Sequence, residues 1–356
     1  MLNKKLGLGL KIALGFIILW AVMRSIDIGE FFMLIKDANL IYLLLCGGLL
    51  NIDRFFMAFK WGLLINHKNK GDITYYSLVK SYYLSSVVSS IVPPTVGEDI
   101  VRGLSVSRDG MSSESVLSSI LTERIFGTLS MFLLVSGTLF LLTWRYPQLD
   151  RTLFYGAITL AITLIFFIIM SFYLPMGRFI QSIPFLRSEG RFVSLINKSY
   201  KAYQAYRHSK KRIIIFVLLS ILENCFVVVG IYWIALSISV DVTLIDMFLT
   251  VPAITLFSKI PITFGGLGVQ EGIFVTLLSL IGVPTTQAFT ISILGRVINI
   301  VAVLPVFISL YLWGLNRVEL PNSPINKRYD YKTLPWQNWQ SYVPLLFLPD
   351  LGRTPW

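Results

Sequence analysis

Histidine and cysteine are almost missing from this chain of 356 residues, which holds two of each. His67 and His208 fall in basic loops, so imidazole acid–base work and histidine-centred metal binding have little raw material. Cys46 and Cys225 lie inside apolar runs, where a free cysteine acts as a small hydrophobe, and they offer neither a disulfide framework nor zinc spacing. No metal and no cofactor is expected. Charge is scarce as well: Asp, Glu, Lys and Arg make up 14% of the chain, against about 25% in an ordinary soluble domain. Apolar residues reach 55% and the mean hydropathy is +0.70, which excludes a soluble domain and indicates a polytopic all-α membrane protein.

Stretches 6–23, 40–65, 116–143, 152–174, 213–236 and 287–314 each reach the roughly 17–25 apolar residues that a spanning helix needs. The first follows Lys4 and Lys5, is too long for a signal-peptide core and precedes no small-residue cleavage pattern, so it is expected to stay as an anchor. Two further stretches, 74–92 and 245–260, are ambiguous. The loop 175–212 carries nine Lys and Arg against Glu189, and the amino end carries Lys4, Lys5 and Lys11, so both are expected on the cytoplasmic side. They share a side only if 74–92 is re-entrant, and Lys80, Tyr82, Tyr83, Ser85 and Ser86 give that stretch polar groups that must face protein or water. The same count makes 245–260 re-entrant and returns the carboxyl end to the cytoplasm.

The expected architecture is therefore six spanning helices plus two re-entrant hairpins. Residues 1–315 form one membrane domain of two halves, about 1–150 and 151–315. Three full crossings per half is an odd number, so the halves face opposite ways, as an inverted repeat. An interfacial helix over 191–206 is equally compatible with a plain cytoplasmic hairpin. The tail 316–356, rich in proline and aromatics, is expected to be irregular and cytoplasmic.

A repeated motif supports the two halves. Pro93, Gly97 and Glu98 precede Glu123-Arg124, and Gly265-Gly266-Leu267-Gly268 with Glu271 precede Arg296. Glu98 to Arg124 is 26 positions and Glu271 to Arg296 is 25. Broken apolar segments in corresponding halves mark transporter-type sites near the bilayer midplane. Each ionisable side chain at that depth costs about 2.5–3.5 kcal/mol on insertion scales, so each needs a partner, a cavity or a substrate. Arg102, Arg124, Arg296 and Lys259 are candidate headgroup ligands, and Gly265, Gly266 and Gly268 break the helix and offer backbone amides to an anion. Glu98, Glu123 and Glu271 are candidate hairpin or proton-coupling carboxylates. Asp53, Arg54, Lys60, Pro93, Gly97 and Glu223 are candidate cavity-lining residues; the adjacent pairs Asp53–Arg54 and Glu123–Arg124 also fit plain helix-to-helix bonding.

At these residues the sequence resembles the lysylphosphatidylglycerol synthase transmembrane-region family, also called the flippase-like domain family. Pro93, Gly97, Glu98 and Arg102 match its first motif, and Gly265 to Gly268 with Glu271 match its second. Glu123-Arg124 and Arg296 stand in the following helices, and Lys60-Trp61 corresponds to its Arg-Trp pair. Thr263-Phe264 stand where the family has proline. In larger members a soluble aminoacyl-transferase domain follows; here about 40 proline-rich residues do.

The resemblance implies a translocase half, a lipid flippase or scramblase of the inner membrane rather than an enzyme. Its cargo would be an anionic or aminoacylated phospholipid or a polyprenyl-phosphate-linked lipid. Two alternatives remain at this stage: a membrane transferase acting on a lipid or lipid-linked sugar, and a non-catalytic partner of a separate synthase or glycosyltransferase. The expected partners are an anionic membrane lipid and a second copy or partner synthase, with no nucleic acid.

Overall fold

The computed structural model describes residues 2–65, 73–89, 97–108, 111–147, 151–173, 203–204, 206, 209–260 and 262–316. Pro93, Pro261, both histidines, most of the basic loop 175–212 with its 191–206 helix, and the tail after Asn316 lie outside the described residues.

Eleven α-helices and no strand are present among the described residues. They are α1 (Leu2–Met23), α2 (Ile28–Lys36), α3 (Leu40–Gly62), α4 (Tyr75–Ser89), α5 (Gly97–Arg108), α6 (Ser113–Arg145), α7 (Thr152–Tyr173), α8 (Lys210–Ser237), α9 (Leu244–Ser258), α10 (Val269–Ser279) and α11 (Thr285–Asn316), with a 3-10 turn at Phe264–Gly266 before α10. Polar caps set several starts: Asp27, Asn39 and Ser112 side chains each accept a first-turn amide, and Thr243 forms a capping box with Asp246. Four helices, α3, α6, α8 and α11, are long and apolar enough to cross a membrane, or five spans if α1 and α2, bent by 90°, count as one. Apolar helix α7 adds 22 residues.

The helix order repeats. A long helix is followed by a short one of 15 residues in both halves (α4, α9), then one of 12 or 11 (α5, α10), then one of 33 or 32 (α6, α11). Trp61, Tyr82, Val106, Val116 and Phe126 bury together from α3 to α6, and Ile234, Val251, Phe274, Ile291 and Leu294 do so from α8 to α11. The buried cores cross between the halves: Phe216 and Val303 join the first, Cys46 joins the second, and α6 and α9 share a third. The long helices that precede the two 15-residue helices, α3 and α8, meet antiparallel. Asn39 N donates to Ser237 O at 2.7 Å near one end, Cys46 lies against Gly230 in the middle, and Lys60 pairs with Glu223 towards the other end.

Candidate functional site

In the first half, Gly97-Glu98-Asp99-Ile100-Val101-Arg102 opens α5, and helical spacing puts Asp99 and Arg102 on one face. Arg102 is only 3% exposed. Its Nη2 donates to Asp99 Oδ1 at 3.1 Å and lies 2.8 Å from Glu123 Oε2, while Nη1 donates to Glu123 Oε1 at 3.1 Å and to Tyr82 Oη. Tyr82 Oη donates to Glu123 Oε1 at 2.7 Å. The guanidinium carbon lies 4.6 Å from both the Trp61 and the Tyr82 ring, a desolvated cation–π arrangement worth about 2 kcal/mol. Trp61 is held by donating to Ser119 Oγ at 3.0 Å. Arg102 is therefore an internal strut joining α4, α5 and α6, enclosed by protein rather than presented to a headgroup.

Arg124 approaches the same carboxylate from the open side. Its Nε and Nη2 donate to Asp99 Oδ2 and Oδ1 at 2.8 and 3.0 Å, a two-pronged bond, and its side chain stays 44% exposed.

In the second half Gly265, Gly266 and Gly268 take φ of 62°, 70° and 77°, left-handed values that glycine alone adopts cheaply. The turn they make starts α10 and aims Glu271, fully buried, back at it. Glu271 Oε2 accepts from Gly268 N at 2.6 Å; Oε1 accepts from Arg296 Nε and Nη2 at 3.2 and 2.7 Å. Arg296 also donates to Gly265 O at 3.0 Å and Gln270 Oε1 at 3.1 Å, and its side chain remains 30% exposed. The Gly268 amide expected to receive a ligand anion is thus taken by the chain's own carboxylate, a favourable partner for a helix N-terminus.

The two acid–arginine clasps correspond, with one change of register from the sequence expectation. Arg124 and Arg296 each bond the acid 25 positions earlier, and in the first half that acid is Asp99, not Glu98. Glu98 remains an electrostatic neighbour of Arg124.

Beside the second clasp lies a cavity of about 360 Å³, walled by α3, α8, α10 and α11 and lined by Asp53, Gly265, Gln270, Ser292, Arg296 and Asn299 together with Cys46, Phe226 and Phe274. Arg54 Nη2 donates to Asn299 Oδ1 at 3.2 Å, and its Nη1 stands 3.7 Å from Asp53 Oδ2. Lys60 and Glu223 are paired with each other, Lys60 lying 5.0 Å from the Phe216 ring centre, so they join α3 to α8. Lys259, at the end of α9, is exposed and has Arg124, Glu98, Asp53 and Glu123 as charged neighbours, which puts it beside the first clasp.

Sequence reasoning missed Asp99, Tyr82, Gln270, Ser292 and Asn299. Asp99 was recoverable, because only it reproduces the 25-residue interval of the second half. Ser292 stands in the Ser-Ile-Leu segment that repeats ahead of each arginine, whereas Asn299 carried no such mark within an apolar run.

Among the described residues no group of three or more His, Cys, Asp or Glu side chains is placed to hold a metal. No curated protein and no solved structure matches the chain. A family model does match, over residues 8–306 and hence across all eleven helices, and on that match the chain belongs to the family described as lysylphosphatidylglycerol synthase TM region.

Proposed function

We propose that this protein is a translocase that carries a lipid with an anionic headgroup, a phospholipid or a polyprenyl-phosphate-linked lipid, between the leaflets of the inner membrane. It performs no covalent chemistry in this reading. The observation that carries it is Arg296. A guanidinium held by two hydrogen bonds to a buried carboxylate, yet 30% exposed on the wall of a 360 Å³ cavity among spanning helices, can exchange that carboxylate for a phosphate without entering a dry site. Arg124, in the equivalent position of the first half and more exposed, is placed to do the same from the other half.

The antiparallel meeting of α3 and α8, which hold the same place in the two halves, supports an inverted repeat. In that arrangement α4–α5 and α9–α10 are re-entrant hairpins, the bent α1–α2 pair and α7 complete six crossings, and both termini lie in the cytoplasm.

Purified protein in vesicles that contain a fluorescent anionic phospholipid or polyprenyl-phosphate lipid tests this. The expected result is accelerated exchange between leaflets, reduced about tenfold or more by Arg296→Ala and by Arg124→Ala. No acceleration with any lipid class removes the proposal.

A further inference from the structure

A slot of about 380 Å³ lies between α6, α7, α9 and α10 and shares no lining residue with the cavity beside Arg296. No charged side chain lines it, and of its two threonines Thr250 donates within its own helix, to Asp246 O at 2.8 Å. The inner wall is Val135, Leu139 and Leu142 of α6 with Leu249 and Ala253 of α9, each no more than 7% exposed and part of the core that joins the first half to the second. The mouth is marked by lining residues that stay exposed, Gly156 of α7 and Phe257 and Ile260 at the end of α9.

Small side chains leave this space open. Phe307 stands 11 positions after Arg296 and packs against the first core, whereas the residue 11 positions after Arg124 is Val135, on the slot wall. Ala253 and Gly156 leave further room. An apolar cavity stays dry and takes apolar guests. Empty, it would forfeit contacts for every side chain around it, a loss that grows with volume.

Dimensions and position identify the guest. From Phe132 to Leu142 α6 lines the slot over ten positions, or about 15 Å at helical rise, which is half the roughly 30 Å hydrocarbon thickness of a bilayer. Volume over that length leaves a cross-section of about 25 Å², room for one extended hydrocarbon chain and not for two side by side. Just beyond Leu142 come Trp144, 78% exposed, and Arg145, whose side chain is 45% exposed, an aromatic and a cation of the kind that mark a membrane interface. A chain that fills the slot therefore runs from the interface to mid-bilayer, as the chains of one leaflet do.

We propose that the slot holds one acyl chain of a resident phospholipid, with its headgroup at the level of Arg145 and its chain packed between α6 of the first half and α9 of the second. The lipid is a structural part of the protein, and its place does not depend on what the protein carries.

Photolabelling in phosphatidylcholine vesicles, with a trace of phosphatidylcholine that bears a diazirine on one acyl chain, tests this by peptide mass mapping. Phosphatidylcholine has no net charge, so it is not the anionic cargo. Exposed Leu133, Phe140 and Leu141 on α6 report ordinary contact with the bilayer, whereas buried Val135, Leu139 and Leu249 are reached only from the slot. Both sets are expected to carry label. In Gly156→Phe, where a new side chain meets nothing within 4 Å on the open side, label on the buried set should fall about tenfold while the exposed set keeps its own, because a filled slot excludes the chain. Val135→Phe fills it from the inner wall and gives the same readout on Leu139 and Leu249 if Gly156→Phe does not fold. In detergent, lipid-stripped protein should unfold at a higher temperature once phosphatidylcholine is added back, and the filled variants should show less than half of that rise. Label confined to the exposed set, buried label that persists in a filled variant, or no rise with added lipid overturns the site. Buried label that appears only when the diazirine is carried by phosphatidylglycerol or a polyprenyl phosphate gives the slot to a transported chain and overturns the resident assignment.

Discussion

At the scale of single residues, the glycine turn before α10 is where the fold tolerates least. A side chain at Gly268 would place its Cβ 2.5 Å from Gly15 O and 2.7 Å from Leu19 N, both backbone atoms of α1, at a φ of 77°. Neither neighbour can move without shifting a helix. Gly268→Ala should therefore cost well over 1 kcal/mol and lower the midpoint of thermal unfolding in detergent, whereas Gly265→Ala, at a φ of 62° in open space, should cost only the strain of about 1 kcal/mol. Equal effects of the two changes would show that α1 does not seat on this turn. Arg296 gives a second test. Its removal leaves Glu271 buried without its guanidinium, which by the behaviour of buried pairs costs about 3 kcal/mol, the lower end of the usual range because Arg296 is 30% exposed. Changing Glu271→Gln in the same chain should recover about 1–2 kcal/mol, and a double-mutant cycle of unfolding free energies measures it.

At the scale of elements, the acid–arginine clasps explain why helices as short as α5 and α10 stay attached to long ones. Asp99–Arg124 ties α5 to α6, and Glu271–Arg296 ties α10 to α11, each with at least two hydrogen bonds to one arginine. The repeated glycine-acid-arginine pattern made both arginines of the clasps legible in the sequence. The choice of Asp99 over Glu98 was legible only through the 25-residue interval of the second half, because adjacent acids on a helix point about 100° apart and packing decides which one meets the partner helix. A third clasp left no sequence mark. At the far end of α6, outside the spanning segments, Asp246 Oδ1 accepts from Arg145 Nε at 2.9 Å and Tyr146 Oη at 3.0 Å, and Oδ2 accepts from Thr243 Oγ1 at 2.6 Å. Burial pushes the Asp246 carboxyl up, but the hydrogen bonds from Thr243, Tyr146 and Arg145 and the charge of Arg145 outweigh it and hold the pKa below the usual 3.8. A carboxyl so depressed adds stability at pH above its unfolded value and loses it as pH falls through the lower folded one. Amide exchange at the start of α9 should accordingly rise as the solution is acidified below about pH 3.8, and Asp246→Asn should show the faster exchange already at neutral pH. An Asp246→Asn protein with unaltered exchange at both pH values would show that the capping box holds α9 alone.

For the molecule as a whole, composition and hydropathy indicated an all-helical membrane chain, and the motif spacing pointed to two halves. What they could not show is how the halves meet. The partners of Asp53, Arg54, Lys60 and Glu223 lie across helices far apart in sequence, and an apolar helix face carries no record of its neighbour. The structure places the seam at α3 and α8, with Cys46 on one side and Gly230 on the other, both on the wall of the cavity. A Cβ at Gly230 would lie 3.5 Å from Cys46 Sγ, an ordinary contact and close to the separation a disulfide needs. Gly230→Cys, combined with Cys225→Ser so that Cys46 is the only other thiol, should therefore cross-link α3 to α8 under a mild oxidant. If lipid passage requires the halves to part along this seam, oxidised protein should lose most of its leaflet-exchange activity and recover it on reduction, with the uncross-linked Cys225→Ser protein indifferent to both treatments. Full activity in a completely cross-linked sample would mean that α3 and α8 form a fixed post, and that movement belongs to the hairpins and their arginine clasps alone.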